Sequence, residues 1–354
     1  MFTNIVYLGY NDFRIFKRGV ENVILSQSQS SLLANKYYIF FGKKNEVYKW
    51  NEIICISISD SFLVKYFLLN YWLWRLKRNK CIIHSHNFLM SLFSFYKTDI
   101  FTVHDAIYYQ RKSNKEKFAF LFYIVEKIVY KRCRKLHFIS SFALTQALVN
   151  STSKNKATII YNTTPIECRH LTKGQKCFLN KECFNLFAVR GIQERTRIDL
   201  LIDFAEYIKD WTFLGKKVQI YIAGKGDLLD YYRTIIISRN LHNIFLLGYV
   251  EDEDIVEYYK DCDMVVLPCE YAEGFGLPII EGYYFNKPVI ASNRCAVPEI
   301  IYSSKYLFEN TPESIWNTLS FVANDEIDYK HYYNERFSLY QMTEKLSALY
   351  KQVL

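Results

Sequence analysis

Short apolar runs alternate with longer amphipathic stretches along the whole 354-residue chain. Runs rich in β-branched residues predict buried strands, and the stretches with helical spacing between them predict covering helices. In the first half, strands are predicted at 4–8, 37–41, 52–58, 80–83, 100–103, 135–139 and 158–161, and helices at 20–34, 60–79, 114–134 and 140–149. Strands that alternate with helices favour a parallel sheet covered on both faces.

A second alternation follows a polar, non-periodic segment. Strands are predicted at 184–189, 218–223, 243–247, 264–267 and 288–291, and helices at 198–209, 227–240, 252–261, 277–285, 311–325 and 336–352. Residues 166–184 are assigned to an interdomain linker because the segment 163–184 lacks periodicity and contains a Pro and a Gly. The sequence therefore predicts two α/β, doubly wound domains in tandem, at 1–165 and 185–336.

Charge is divided unevenly between the two halves. Residues 1–170 carry 25 Lys and Arg against 10 Asp and Glu, whereas residues 171–354 carry 20 against 26. The basic half is suited to a nucleic acid, an anionic membrane surface or a phosphorylated substrate, and charge alone does not choose among them. The nine Cys form no C-x-x-C pair, and the first residues lack the features of a signal peptide. A cytoplasmic protein, soluble or peripheral on a membrane, is expected.

The densest chemical motif spans residues 265–281. An apolar strand is followed by a loop with Glu273, by Gly274, Phe275 and Gly276, and by a helix that begins at Leu277. The free amides and the positive dipole end of such a helix are suited to a phosphate. Glu281, one turn further along, can reach neutral hydroxyls beside that phosphate, such as a ribose diol.

This passage resembles the Glu-x7-Glu signature of the retaining family-4 glycosyltransferases. The chain reads PCEYAEGFGLPIIEGYYFNKPVIAS, and both Glu keep their spacing. It departs from the family pattern at Cys269, which replaces a Ser, at Asn286, which replaces a Gly, and in one residue inserted before Glu273. The resemblance implies the GT-B fold, with two Rossmann-like domains facing across a cleft and the C-terminal helix, residues 337–354, packing back on the first domain.

The resemblance extends upstream through the strand and glycine turn that contain Gly224. It implies that the backbone at Tyr249 and Val250 holds the nucleobase. Two cations normally clamp the donor diphosphate in the family, and Arg190 is the candidate for the first. Thr196 stands where the second is expected, so that role falls to one of two neighbours, Arg195 or Arg197. Arginines on a solvated loop are the simpler alternative for these two residues.

In the first domain, Gly19 belongs to a loop that resembles the family's glycine-rich loop beside the donor phosphate. His84, His86 and His104 follow predicted strands, at the edge where a doubly wound sheet binds ligands. The resemblance favours His104 as the active-site histidine near the transferred sugar. His84 and His86 are assigned to the acceptor side, and loop histidines satisfied by the backbone are the alternative for all three.

Taken together, the resemblance implies a retaining transfer of a sugar from a UDP- or GDP-linked donor to a glycan hydroxyl. Glu281 would hold the ribose, Glu273 the sugar hydroxyls, and the amides of residues 274–277 the diphosphate. No metal and no cofactor are expected, since the two D-x-D motifs, at 252–254 and 261–263, have structural positions. The acceptor is predicted to be lipid-linked, in synthesis of a bacterial surface polysaccharide such as O-antigen or capsule, with peripheral contact to an anionic membrane.

Three alternatives remain open. The first is an inactive GT-B homologue that serves as a partner subunit, and the second is a sugar-nucleotide epimerase. The third is a nucleic-acid-binding protein, against which stands the lack of any recognised nucleic-acid module.

Overall fold

The computed structural model describes residues 4–15, 19–30, 35–61, 64–113, 116–147, 151–168, 179–322 and 324–354. The chain divides into two compact units. The first unit consists of Met1–Cys168 together with Ser338–Leu354, and the second of Arg169–Phe337. Of the predicted linker 166–184, residues 169–178 lie outside the described residues.

The described part of the first unit contains an eight-stranded sheet. Its strands are β1 (Asn4–Leu8), β2 (Asn35–Gly42), β3 (Glu46–Trp50), β4 (Ile53–Ser59), β5 (Cys81–Ser85), β6 (Ile100–Val103), β7 (Lys135–Phe138) and β8 (Ala157–Ile159). Their order is β3-β4-β2-β1-β5-β6-β7-β8, and the pairings are parallel except for β3 against β4. The order reverses beside β1, and a reversal of this kind places ligands outside the carboxyl ends of the strands.

Helices cover both faces of this sheet. They are α1 (Gly19–Ser30), α2 (Val64–Lys77), α3 (Phe88–Phe93), α4 (Ile107–Ser113), α5 (Ala119–Arg132), α6 (Ser141–Gln146) and α7 (Ser151–Lys154). Leu69 and Leu73 of α2 pack with Val6 and Ile83 of the sheet, whereas Ile24 of α1 belongs to the cluster on the opposite face.

The second unit contains a seven-stranded sheet among its described residues. Its strands are β9 (Phe184–Val189), β10 (Thr212–Phe213), β11 (Lys216–Ala223), β12 (Ile244–Gly248), β13 (Met264–Leu267), β14 (Val289–Ser292) and β15 (Leu307–Phe308). The parallel order is β12-β11-β9-β13-β14-β15, and β10 pairs antiparallel with the start of β11.

Seven helices accompany this second sheet in the described residues, and one more closes the chain. They are α8 (Ile198–Tyr207), α9 (Leu229–Ser238), α10 (Asp252–Asp261), α11 (Leu277–Tyr284), α12 (Val297–Ile300), α13 (Pro312–Val322) and α14 (Tyr329–Arg336), followed by α15 (Leu339–Lys351). The closing helix α15 belongs to the first unit, where Leu346 and Leu349 pack with Ile24 and Leu25 of α1.

Several short elements were absent from the sequence prediction, namely β3, β10, β15, α3, α4, α7, α12 and α14. Strand β3 was not predicted, because its side chains are only half-buried on alternate positions and its apolar signal is weak. The single helix predicted at 336–352 is interrupted at Phe337, and Ser338 caps the start of α15 by accepting a hydrogen bond from the Gln341 amide. Among the described helices, none has the length and apolarity needed to cross a lipid bilayer.

Candidate functional site

The loop between β13 and α11 leads into a helix whose amino end has no side-chain cap in the described part of the chain. Gly276 precedes α11 with a φ of 90°, a left-handed conformation that favours glycine. Pro278 lies in the first turn of α11, where its missing N–H removes no helical hydrogen bond. Leu277 begins the helix and is half-buried, while Gly274 and Phe275 are buried. The predicted anion-binding helix start is therefore formed by the described residues.

Arg190 extends from the end of β9 into this loop. Its Nη1 donates to Glu273 Oε2 at 2.7 Å, and the two side chains are only 5% and 14% exposed. The Nε and Nη2 of Arg190 are also buried, and no described residue accepts a hydrogen bond from them. A buried guanidinium with two unused donors is a binding element for an anion.

The position of Arg190 is fixed by the neighbouring glycine turn. The Arg190 amide donates to the Ala223 carbonyl at 2.9 Å. A Cβ on Gly224 would lie 1.7 Å from the Arg190 carbonyl oxygen, and one on Gly226 would lie 2.0 Å from the Ile192 carbonyl oxygen. Both glycines therefore permit a backbone approach that no side chain would allow.

Glu281 lies one turn inside α11 and is 8% exposed. The hydroxyl of Tyr259, from α10, donates to Glu281 Oε2 at 2.6 Å. Burial raises the pKa of Tyr259 well above its ordinary value, with the Glu281 carboxylate adding to the effect. The tyrosine thus remains a proton donor and holds the carboxylate in one orientation. The sequence did not identify Tyr259, because a tyrosine in an amphipathic helix is ordinarily assigned to packing against the core.

The stretch after Arg190 contains the two candidates for a second cation. Thr196 is buried and its hydroxyl donates within the loop, at 2.7 Å from the carbonyl oxygens of Gly191 and Gln193. Arg197 has two carboxylate partners, Asp199 at 3.0 Å and Glu270 at 2.6 Å.

Arg195 differs from Arg197 in its partners. Its Nη1 donates to the Ala272 carbonyl at 3.0 Å and its Nε to the Gln193 side chain at 3.2 Å. Within the described ranges, Arg195 forms no ion pair with a carboxylate. Ala272 immediately precedes Glu273, so Arg195 reaches the same loop as Arg190.

Tyr249 and Val250 follow β12, at the same edge of the sheet. Tyr249 is about half exposed and donates to the Glu251 carboxylate at 3.0 Å. The ammonium of Lys225, on the glycine turn, lies 4.5 Å from the Tyr249 ring centroid. The structure therefore places an exposed aromatic ring and a cation next to the Arg190 loop, and Lys225 was not singled out from the sequence.

In the first unit, His86 and His104 form a contact at the carboxyl ends of β5 and β6. His86 Nδ1 lies 2.8 Å from His104 Nε2. Both rings line a cavity of about 410 Å³ together with Tyr10 of the β1–α1 loop, Val20 of α1 and Arg111 of α4. Gly19 starts α1, and nothing lies within 4 Å of the position of its missing Cβ.

His84 is placed in the interior rather than against this cavity. It is 0% exposed, with Nδ1 2.9 Å from the Tyr350 hydroxyl and Nε2 2.7 Å from the Thr102 hydroxyl. Thr102 in turn contacts His137 Nδ1 at 3.0 Å. Both ring nitrogens of His84 therefore have hydrogen-bond partners within the protein. Its interior position differs from the predicted position on the acceptor side. Tyr350 lies 266 residues away in the chain, so no local pattern indicated this network.

The acidic D-x-D motifs have structural positions. Asp252 and Asp254 lie in the first turn of α10. Asp263 accepts a hydrogen bond from the Asn185 amide at 2.7 Å, ahead of β13. Across the described ranges, no group of three His, Cys, Asp or Glu side chains is arranged to hold a metal ion.

A family model described as glycosyl transferases group 1 matches residues 174–338. The matched segment contains the Arg190 loop, the glycine turn, Tyr259 and the Glu273–Glu281 motif. The resemblance to a glycosyltransferase that the sequence predicted is thus confirmed over residues 174–338.

The group 1 domain and its surroundings resemble curated proteins over part of their length. An uncharacterised glycosyltransferase of Methanocaldococcus jannaschii is 28% identical over 49% of this chain and 45% of its own. A 41.2 kDa protein in the cps region of Klebsiella pneumoniae is 25% identical over 69% of this chain and 67% of its own. The O-antigen chain mannosyltransferase B of Escherichia coli is 46% identical over 55 residues, which are 16% and 14% of the two chains. The chain spans about half the length of the first two curated relatives it matches.

Solved structures resemble the chain over nearly its whole length. Anabaena HepE, in complex with UDP and glucose, matches with a TM-score of 0.76 over 99% of this chain and 100% of its own, at 14% identity. The lipopolysaccharide outer core galactosyltransferase WaaB matches with a TM-score of 0.69 over 99% of this chain and 100% of its own, at 16% identity. The predicted fold class is confirmed: the chain has the GT-B fold, with two Rossmann-like units.

Proposed function

We propose that this protein is a retaining glycosyltransferase that moves a sugar from a UDP- or GDP-linked donor to a hydroxyl of a glycan. The observation that supports this most directly is the buried Arg190 guanidinium. Two of its donor nitrogens are buried without a partner in the described residues, next to the amino end of α11. A diphosphate would supply the anionic acceptors that this arrangement lacks.

The proposed catalysis is electrostatic. Arg190, a second arginine and the first turn of α11 stabilise the leaving diphosphate as its negative charge develops. Glu273 binds hydroxyls of the transferred sugar, and Glu281, oriented by Tyr259, binds the ribose. No side chain acts as a covalent nucleophile, and the departing phosphate assists removal of the proton from the acceptor hydroxyl. His104 remains the candidate active-site histidine of the first unit. The scheme uses no metal ion, so activity is expected to persist in EDTA.

Among the two candidate second cations, Arg195 fits the role better than Arg197. The Nε and Nη1 of Arg197 each form an ion pair with a carboxylate. Arg195 is held by a carbonyl and an amide oxygen, which leave its positive charge uncompensated. An uncompensated guanidinium is the one that gains most from a phosphate.

The proposed acceptor is a lipid-linked glycan of a bacterial surface polysaccharide. Relatives are named for a cps region and for O-antigen chains, which motivates this assignment. Such an acceptor is presented at the inner face of the plasma membrane, so the protein is expected to act in the cytoplasm with peripheral contact to an anionic bilayer.

A candidate membrane-binding surface is formed by α2, α3 and α5, hereafter the α2–α3–α5 face. Residues 64–135 carry 15 Lys and Arg against four Asp and Glu. Large apolar side chains on these helices point outward: Phe67, Tyr71, Trp74, Leu89, Phe93, Phe120, Leu121, Ile124 and Ile128. Exposed apolar groups surrounded by cations are typical of surfaces that insert into anionic bilayers.

The activity is tested with the purified full chain and a panel of UDP-, GDP-, ADP- and CDP-sugars, using polyprenyl-linked glycans as acceptors. Expected is nucleotide release in proportion to glycan product, with the anomeric configuration retained. Sugar isomerisation without nucleotide release would identify an epimerase instead. Nucleotide binding without turnover for any donor would identify the inactive homologue.

Membrane contact is tested separately, by co-sedimentation with vesicles containing phosphatidylglycerol at low salt. Wild-type protein is expected to bind, and Phe120→Ser with Ile124→Ser is expected to weaken binding at least tenfold. The matched control is Ile237→Ser with Phe321→Ser, which removes exposed apolar groups from the second unit. Equal loss in both double variants, or no binding by wild type, contradicts the assigned surface without affecting the transfer proposal.

A further inference from the structure

The contact between His86 and His104 has one feature that the proposed transfer does not use. His86 is 1% exposed, and its ring stacks on His84 with centroids 4.8 Å apart. Its Nδ1 lies 2.8 Å from His104 Nε2, while its own Nε2 is buried with no hydrogen-bond partner in the described residues. The His86 ring is thus held in place and bonded at one nitrogen only.

Only one proton can lie between the two rings. If His104 donated it, His86 would carry its own proton on Nε2, and a buried N–H would be left without an acceptor. If His86 donates from Nδ1, its Nε2 carries only a lone pair. Orphaned buried N–H groups are rarer in proteins than acceptors left unsatisfied, which favours the second arrangement. His104 then carries its proton on Nδ1.

Other ionisable groups around the pair do not reverse this assignment. His84 and His137 lie behind it in the core, and Tyr7 packs 6.3 Å from the His86 ring. Tyr10, Asp105, Arg111 and Glu116 line the cavity in front of it. Burial lowers the pKa of His86 well below its ordinary value and that of His104 to about 3, with neighbouring histidines adding to both effects. Both rings are therefore neutral at physiological pH.

We propose that His86 is a positioning residue that holds His104 as the Nδ1–H tautomer, so that His104 acts as a hydrogen-bond donor toward the cavity. In this role His104 binds an uncharged oxygen, such as a sugar hydroxyl or ring oxygen. It does not serve as a general base, since its Nε2 lone pair accepts the proton of His86. The catalytic consequence rests on the proposed function, whereas the tautomer is a property of the protein alone.

The tautomer is measured on the full chain without substrate, by long-range 1H–15N NMR of uniformly labelled protein. Expected is a proton on Nδ1 of His104 and no titration of either ring between pH 5.5 and 8. His86→Leu removes the donor and is expected to move part of the His104 population to the tautomer protonated on Nε2. His86→Asn places an amide donor near the position of Nδ1 and is expected to restore the wild-type tautomer.

Activity supplies an independent reading. The pH profile of kcat is expected to be flat between pH 5.5 and 8 in wild type and in His86→Asn. In His86→Leu we expect kcat to fall about tenfold, because the His104 donor is no longer held on Nδ1. His137→Leu is the matched control, because it removes an equally buried histidine that has no hydrogen bond to the pair.

Two results would overturn the inference. One is a wild-type His104 protonated on Nε2, and the other is a His104 tautomer unchanged in His86→Leu. If instead the NMR result holds but no transfer occurs with any donor, the proposed function fails and the tautomer assignment stands.

Discussion

Arg190 Nη1 and Glu273 Oε2 are joined by a 2.7 Å ion pair that is buried in the second unit. A buried pair of this kind is costly to desolvate, and removing one partner leaves an uncompensated charge. Here the same two residues are the proposed contacts of the diphosphate and of the sugar. The pair therefore fixes the two side chains of the proposed donor site relative to each other.

The first prediction concerns this pair. Arg190→Ala removes a phosphate contact and is expected to lower kcat/KM by about 10²–10³. Glu273→Gln keeps an oxygen that can accept from Arg190, so we expect a folded protein with reduced kcat. Nucleotide release gives the activity, and thermal melting gives the stability. Wild-type activity in Arg190→Ala would contradict the proposed role of the guanidinium.

The loop and helix start that are proposed to bind the donor were predictable as structure from the sequence, because their determinants are local. Glycines at 274 and 276, Pro278 and the spacing of the two Glu all lie within one strand–loop–helix unit. Tyr259 was not predictable in this way, because it contacts Glu281 on another helix, 22 residues further along the chain. A tyrosine that packs and one that orients a carboxylate have the same local pattern.

The fold followed the sequence closely in several strands that are buried along nearly their whole length. Strands β1, β6, β9 and β13 have the bounds that their apolar runs predicted. Strand β3 alternates between half-buried and exposed positions, and its pairing depends on β4 rather than on its own residues. The interior position of His84 was missed for the same reason, since it depends on Tyr350 at the far end of the chain.

A second prediction separates Arg195 from Arg197. Arg195→Ala is expected to raise the donor KM about tenfold with little change in stability, because it removes a charge that has no carboxylate partner. Arg197→Ala is expected to lower the free energy of unfolding by about 1 kcal/mol, since its ion pairs are partly exposed. Donor KM values and urea unfolding distinguish the two. The reverse pattern would assign the second cation to Arg197, and Arg195→Lys shows whether charge alone suffices.

A third prediction tests the close approach of two loops. In Gly224→Ala the new Cβ would lie 1.7 Å from the Arg190 carbonyl oxygen, at a φ of 153° that disfavours a side chain. We expect loss of at least about 2 kcal/mol of stability and weaker nucleotide binding, because the Arg190 loop must shift.

Gly191→Ala is the matched control for this substitution. Its Cβ would meet only the Lys225 carbonyl oxygen, at 3.9 Å, which is ordinary contact. We expect stability within about 0.5 kcal/mol of wild type. Similar losses in both variants, measured by urea unfolding, would show that the loop is sensitive to any side chain and not to the Arg190 contact.

The last prediction concerns acid stability and arises from the buried histidines of the first unit. Burial is the main cause that lowers the pKa of all four, to about 3 for His104, to about 4 for His137, and well below the ordinary value for His84 and His86. In the unfolded chain each should protonate near pH 6.5. Below that pH the unfolded state binds protons that the folded state does not. Stability is therefore expected to fall as the pH drops from about 6.5 toward 4, by up to about 1.4 kcal/mol per pH unit for each histidine, and to be unaffected by these groups above pH 7.5.

The loss should be confined to the first unit, because the histidines described in the second unit, His242 and His331, lie on the surface. Tryptophans report on each unit separately, with Trp50, Trp72 and Trp74 in the first and Trp211 and Trp316 in the second. With Trp211 and Trp316 replaced by Phe, fluorescence is expected to show a urea midpoint that falls between pH 6.5 and 4. With the first three replaced instead, the midpoint should change much less over that range. An equal decrease of the urea midpoint in both variants would mean that the buried histidines do not dominate the acid response.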